Sequence, residues 1–222
     1  MVAVKALQVQ SEQSDPDATT RVGGWLFRHR TALPLPVAIA IIVIPSSETA
    51  RSVMLAGVGV AATLFGEWIR LWGVHHIGVI SRTRSDRLGP LVASGPFAHL
   101  RNPLYVGNIL LWVGFALSAR LVWLAPVIAI LLGAEYHAIV RWEERLLESR
   151  LGDSYRAYTA RVPRWVPSIN RGARGARRDQ NLSAISASSA VAFSFRETLF
   201  SERGTLLAIA GGYLLLWIKL KT

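Results

Sequence analysis

Two short stretches of the 222-residue chain carry side chains that can do chemistry. The first is GPFAHLRNPLYVGN, residues 95–108. Asn102 precedes a proline and is biased away from αR backbone. Asn suits a helix N-cap and proline suits the first helical position. A helix beginning at Pro103 offers free N–H groups and the positive end of its dipole, and Arg101 adds a full charge beside them, which makes an anion site. Tyr105 and Asn108 then bring hydrogen-bonding groups one and two turns into an apolar run.

The second stretch is EYHAIVRWEERLLESRLGDSYRAYTARVPRWVP, residues 135–167. Trp142, Leu146, Leu147 and Leu151 mark an apolar stripe at helical spacing. Glu143 shares that face, so its carboxylate needs a cationic partner. Arg101 is one choice; the ammonium or sulfonium of a ligand is another. Glu144 is expected to point further toward water, and Gly152 to end the helix. Each stretch alone also reads as ordinary structure: a capped helix with a headgroup arginine, and an acidic face that is solvated or internally paired.

Other residues suggest less. His75 and His76 read as interfacial side chains rather than metal ligands, and Glu67 with Arg70 as an i,i+3 pair. Glu135 and His137 are placed to face a cavity, as ionisable groups at membrane depth usually do. No cysteine is present, which excludes disulfides, thiolate metal sites and cysteine nucleophiles. The chain shows no Walker loop, GxGxxG, HExxH or nucleophile elbow, and no metal site is expected.

The elements that must position these residues are apolar. Composition is 51% hydrophobic and 18% charged, with eight Trp, and mean hydropathy is positive; these values point to a membrane protein. Five apolar segments stand out, at 32–47, 52–74, 103–119, 121–140 and 204–220. Each is near the lower limit for crossing ~30 Å of hydrocarbon as a helix. Only Arg120 separates the third from the fourth, which reads as a tight hairpin. The formal net charge of +11 invites a nucleic-acid reading. However, 20 of the 25 Lys and Arg fall in residues 1–31, 75–102 and 141–203, and positive-inside topology accounts for that distribution better. The opposite side would hold Arg51, Arg120, Lys219 and Lys221.

The expected architecture is therefore an all-α, polytopic membrane protein of about five spans with a pocket at its cytoplasmic face. Residues 1–31 read as a flexible cytoplasmic arm without a signal-peptide core, 32–167 as the membrane domain, 168–203 as a basic flexible linker, and 204–222 as a last transmembrane helix.

Ordered along the chain are GxxxR at Gly66–Arg70, LVASGPFAHLRNPLYVG at 91–107, an apolar hairpin, Glu143-Glu144, and GDSYRAYTARVPRWVP at 152–167. Together they resemble the integral-membrane methyltransferases related to isoprenylcysteine carboxyl methyltransferase and phospholipid N-methyltransferase, over a core of 66–167. The resemblance implies S-adenosylmethionine as cofactor. It also implies cofactor contacts from Pro90, Leu91, Val92, Phe97, Arg101, Asn102, Pro103, Leu104, Tyr105 and Glu143. The methionine carboxylate would meet Arg101 and Asn102, the ammonium would meet Glu143, and Phe97 would pack the adenine. Where carboxyl methyltransferases usually show His, this chain has Asn102, and Asn-Pro-x-Tyr-x-Gly matches the phospholipid enzymes. The substrate-contacting Arg of prenylcysteine enzymes is replaced by Ile139, with Arg141 the nearest arginine. These departures argue against prenylcysteine and leave an apolar amine, thiol, phenol or lipid head group open as acceptor, with His99 or Glu144 as candidate bases for a neutral one. Two other functions fit parts of the chain. One is an NADPH-dependent oxidoreductase of sterol-reductase type, with Arg82, Arg84 and Arg87 on the phosphates. The other is a non-enzymatic scaffold whose 161–178 segment binds anionic lipid.

Overall fold

A computed structural model describes residues 18–47, 50–77, 91–167 and 194–221. Among the described residues the fold is all-helical, without strands. The helices are α1 (Ala18–His29), α2 (Leu35–Val43), α3 (Ala50–Ile77), α4 (Pro103–Ser118), α5 (Leu124–Leu151), α6 (Asp153–Thr159) and α7 (Phe195–Lys219); a 3-10 turn covers Gly95–Ala98. Helices α3, α5 and α7 are long and apolar enough to cross a bilayer, and α4 is a shorter apolar helix of 16 residues. The first apolar segment forms only the nine residues of α2, about 13 Å of rise against ~30 Å of hydrocarbon. As a helix it does not cross alone.

Helices α3 and α4 pack antiparallel through a seam of glycines seven residues apart. A Cβ on Gly66 would sit 2.7 Å from the Gly107 carbonyl oxygen, and one on Gly59 would sit 2.6 Å from that of Gly114. Between lipid-facing helices no net gain comes from apolar burial, so this close backbone approach supplies the association. The α4–α5 hairpin turns tightly, as its single charged residue suggests. Arg120 takes positive φ (59°), and Leu121 N–H closes on Ala116 O at 2.9 Å. Ala116, Ala119, Leu121, Ile128, Leu132 and Ile139 then form the core of the pair.

Two expectations about chain segments are corrected. Residues 18–29, read as part of a flexible arm, are helical and lie against α5: Gly23 is buried, and a Cβ there would overlap the Ala138 carbonyl oxygen. Two consecutive glycines let the backbones meet, so a weak helix former is held by packing. The last helix begins at Phe195 rather than 204, within the segment read as linker. Ser194 and Glu197 form a reciprocal capping box there, which satisfies the first free N–H groups. Residues 1–17 and 168–193 of the expected arm and linker lie outside the described residues.

Polar contacts hold α7 along its whole length. His75 meets Thr198 (3.2 Å), Arg70 meets Glu202 (2.7 Å) and Thr205 (3.2 Å), Tyr213 hydroxyl donates to Thr63 (2.8 Å), and Lys219 donates to the Ile41 and Ile44 carbonyls at the end of α2 (2.5 and 2.6 Å). Ser47, Arg120 and Lys219 thus gather at one end of the bundle. His75, Arg101 and the end of α5 gather at the other.

Candidate active site

Helix α4 starts at Pro103 as its sequence requires, but Asn102 does not cap it with its side chain. The amide instead donates to the Arg164 carbonyl (3.1 Å), and Arg101 N–H donates to the Pro163 carbonyl (3.0 Å). The segment after α6 has therefore folded back onto the helix entrance. Tyr158 completes the fold-back by donating its hydroxyl to the Phe97 carbonyl (2.9 Å). Leu91 packs with Tyr155, Tyr158 and Val162 under the same loop.

Glu144 is the centre of this brace. Arg101 Nη1 lies 2.9 Å from Oε1, and Arg164 forks onto both carboxylate oxygens at 3.1 and 2.5 Å. Its side chain is 14% exposed, so the expectation that it points to water is corrected. Two arginines contributed by loops draw it inward, where a charge-assisted fork is strongest. Tyr155 hydrogen-bonds Arg101; burial first, then the Glu144 charge, pushes its phenol well above the ordinary range. It remains a neutral phenol whose oxygen accepts from Arg101.

Glu143, one residue earlier on α5, faces the other way. Its carboxylate hydrogen-bonds the Tyr105 hydroxyl, and the charge of Arg30 acts on both groups. Tyr105 stacks on Tyr136 with ring centroids 4.7 Å apart, and Tyr136 in turn hydrogen-bonds Asn108. Asn108 accepts a hydrogen bond from Arg70, which is also 3.3 Å from Glu67 and 2.7 Å from Glu202. The expected i,i+3 pair is thus part of a larger buried cluster that anchors α7. Polar groups run from Arg70 through α4 to Glu143.

The sequence-predicted residues divide among these surroundings. Tyr105 and Glu143 meet directly. Arg101, Asn102 and Glu144 share the brace beside them. Leu104 and Phe97 turn toward Gly73 of α3, Pro103 is buried, Val92 and Arg141 are half-buried, and His99 is exposed on the 3-10 turn. Glu135 is half-buried on α5, and the His137 ring stacks near Trp165 at 6.4 Å. Pro90, and Arg82, Arg84 and Arg87 of the oxidoreductase reading, lie outside the described residues. No group of three or more His, Asp or Glu side chains among the described residues is placed to hold a metal ion. Sequence reasoning missed Arg164, Glu202 and Arg30, whose partners are distant in the chain.

Residues 55–154, which include the α3–α4 seam, the α4 entrance and Glu143-Glu144, match the phospholipid methyltransferase family. That match spans 100 of the 222 residues. Among curated proteins, the chain is similar to the nickel-cobalt-cadmium resistance protein NccN of Alcaligenes xylosoxydans xylosoxydans. Identity is 28% over 159 residues, covering 69% of this chain and 71% of the relative. It is also similar to the cobalt-zinc-cadmium resistance protein CzcN of Cupriavidus metallidurans. That match is 32% over 80 residues, covering 36% and 37%. No solved structure matches.

Proposed function

We propose that the protein is an integral-membrane methyltransferase that uses S-adenosylmethionine and methylates an apolar or lipid-like acceptor. The observation that carries this reading is the Glu143 carboxylate. It lies against Tyr105 at the entrance of α4, within a stretch that matches the phospholipid methyltransferase family. A carboxylate and a phenol beside a helix N-terminus suit the ammonium and carboxylate of an amino-acid end. When bound, the cofactor supplies an electrophilic methyl carbon on a sulfonium.

The chain's own contribution is positioning. Glu143 holds the ammonium, Tyr105 fixes the carboxylate rotamer of Glu143, and the Arg101–Glu144–Arg164 brace fixes the entrance against the 163–165 loop. Holding acceptor and methyl carbon in line is the largest effect available to such a site. Leu26, Phe27, Trp165 and Tyr105 all pack against the same hydrophobic core, which limits water there. Glu144 acts here as a strut, because guanidinium groups already hold both of its oxygens. The exposed His99 and half-buried Arg141 are the remaining candidates to meet the acceptor. We place the N-terminus and the site on the cytoplasmic side, from the arginine distribution. We also count α2 and α4 with the three long helices as the five membrane-embedded elements.

The names of the two relatives suggest heavy-metal stress as a setting. The test is to supply methyl-labelled S-adenosylmethionine to membranes with and without the protein, from cells grown with and without cobalt. A labelled lipid-extractable product that requires the protein supports the reading. Its absence under both growth conditions refutes it.

A further inference from the structure

An amino-acid end carries its ammonium and carboxylate on one carbon, so their receptors must be neighbours. Glu143 can receive the ammonium. The expected anion receptor, however, is committed elsewhere. Arg101 is held by Glu144 at 2.9 Å, and the Asn102 amide donates to the Arg164 carbonyl. The cation whose charge acts on both Glu143 and Tyr105 is Arg30, the residue after α1.

Its placement is built rather than incidental. The Arg30 guanidinium lies 4.0 Å over the Phe27 ring. Phe27 lies 4.8 Å from Trp142, the residue before Glu143. One helical turn earlier, Gly23 and Gly24 press the α1 backbone onto Ala138 and Trp142. A guanidinium stacked on an aromatic face keeps its in-plane donors available for a bidentate contact. Arg30 is half-buried, where such a contact is worth more than in water.

We propose that Arg30 binds the carboxylate of the cofactor's amino-acid end and, with Glu143, forms its zwitterion clamp. This rests on the methyltransferase reading. Bound this way, Arg30 and Glu143 each meet the opposite charge of the cofactor's amino-acid end, so no charge is left unpaired in a poorly solvated site. Helix α1, which lies outside the family-matched stretch, is on this account a working part of the site.

The test compares binding of S-adenosylmethionine and of its decarboxylated form to purified protein in detergent, by calorimetry, with melting temperatures recorded for each variant. Arg30→Gln should weaken S-adenosylmethionine roughly ten- to hundredfold, the loss of a charge-assisted contact. It should leave the decarboxylated ligand within about twofold of wild type. Arg30→Lys, which keeps the charge and loses the fork, should fall between. Equal losses for both ligands, or unchanged or tighter S-adenosylmethionine binding in Arg30→Gln, would overturn the assignment. Glu143→Ala separates the two claims: it should weaken both ligands. If wild type binds neither ligand, the methyltransferase reading fails, and this inference fails with it.

Discussion

Glu144→Gln distinguishes a strut from a base. The native carboxylate accepts from Arg101 at 2.9 Å and from Arg164 at 3.1 and 2.5 Å, and its side chain is 14% exposed. Glutamine keeps one acceptor oxygen, loses the charge, and turns an amide toward two guanidinium groups. Hydrogen bonds to charged groups contribute about 1.5–3 kcal/mol each. These three share one carboxylate and Arg164 is one-third exposed, so the losses do not add, and about 3 kcal/mol is a reasonable total. For a chain of this size that corresponds to roughly 6–12 °C in melting temperature. Thermal melting in detergent, read beside cofactor binding, is the assay. The entrance to α4 should loosen, with a lower melting temperature and weaker binding together. A Gln variant that melts within about 1 °C of wild type and binds cofactor normally but does not turn over would refute the strut. It would restore Glu144 as a base.

Two further outcomes test the scaffold. Gly66→Ala should destabilise by about 1–3 kcal/mol because its Cβ meets the Gly107 carbonyl. Gly57→Ala on the same helix has open space and should stabilise by up to about 1 kcal/mol; equal melting shifts for the two would contradict the seam. In α7, Glu202→Ala breaks a fully buried pair with Arg70 and should cost about 3 kcal/mol or more. Tyr213→Phe removes neutral hydrogen bonds and should cost about 1 kcal/mol. The reverse order in their melting temperatures would show that Glu202 does not anchor α7.

Much of the site was legible in the sequence because its signals are local. Proline after Asn102 places the start of α4, Gly152 ends α5 with φ of 52°, and the Leu146–Leu147 stripe puts Glu143 on a packed face. What escaped depends on contacts between distant segments. Glu144 was expected in water because helical spacing says nothing about Arg164 returning from 20 residues away. Helix α1 looked like part of a loose arm because the first 30 residues are polar, with acids at Glu12, Asp15 and Asp17; the contact of Gly23-Gly24 with α5 is not visible in that composition. The start of α7 did carry a local signal, Ser194-x-x-Glu197, outweighed by the Arg-, Gly- and Ser-rich composition before it. The Glu67–Arg70 pair was seen, but Glu202, 132 residues beyond Arg70, was not.

The role proposed for Glu143, receiving the cofactor's ammonium, is read out by calorimetric titration of purified wild type and Glu143→Ala with S-adenosylmethionine. Wild type should bind saturably and the variant should lose at least tenfold, with the fold intact by melting, as expected when a charge-assisted contact is removed. Unchanged affinity in Glu143→Ala would contradict it.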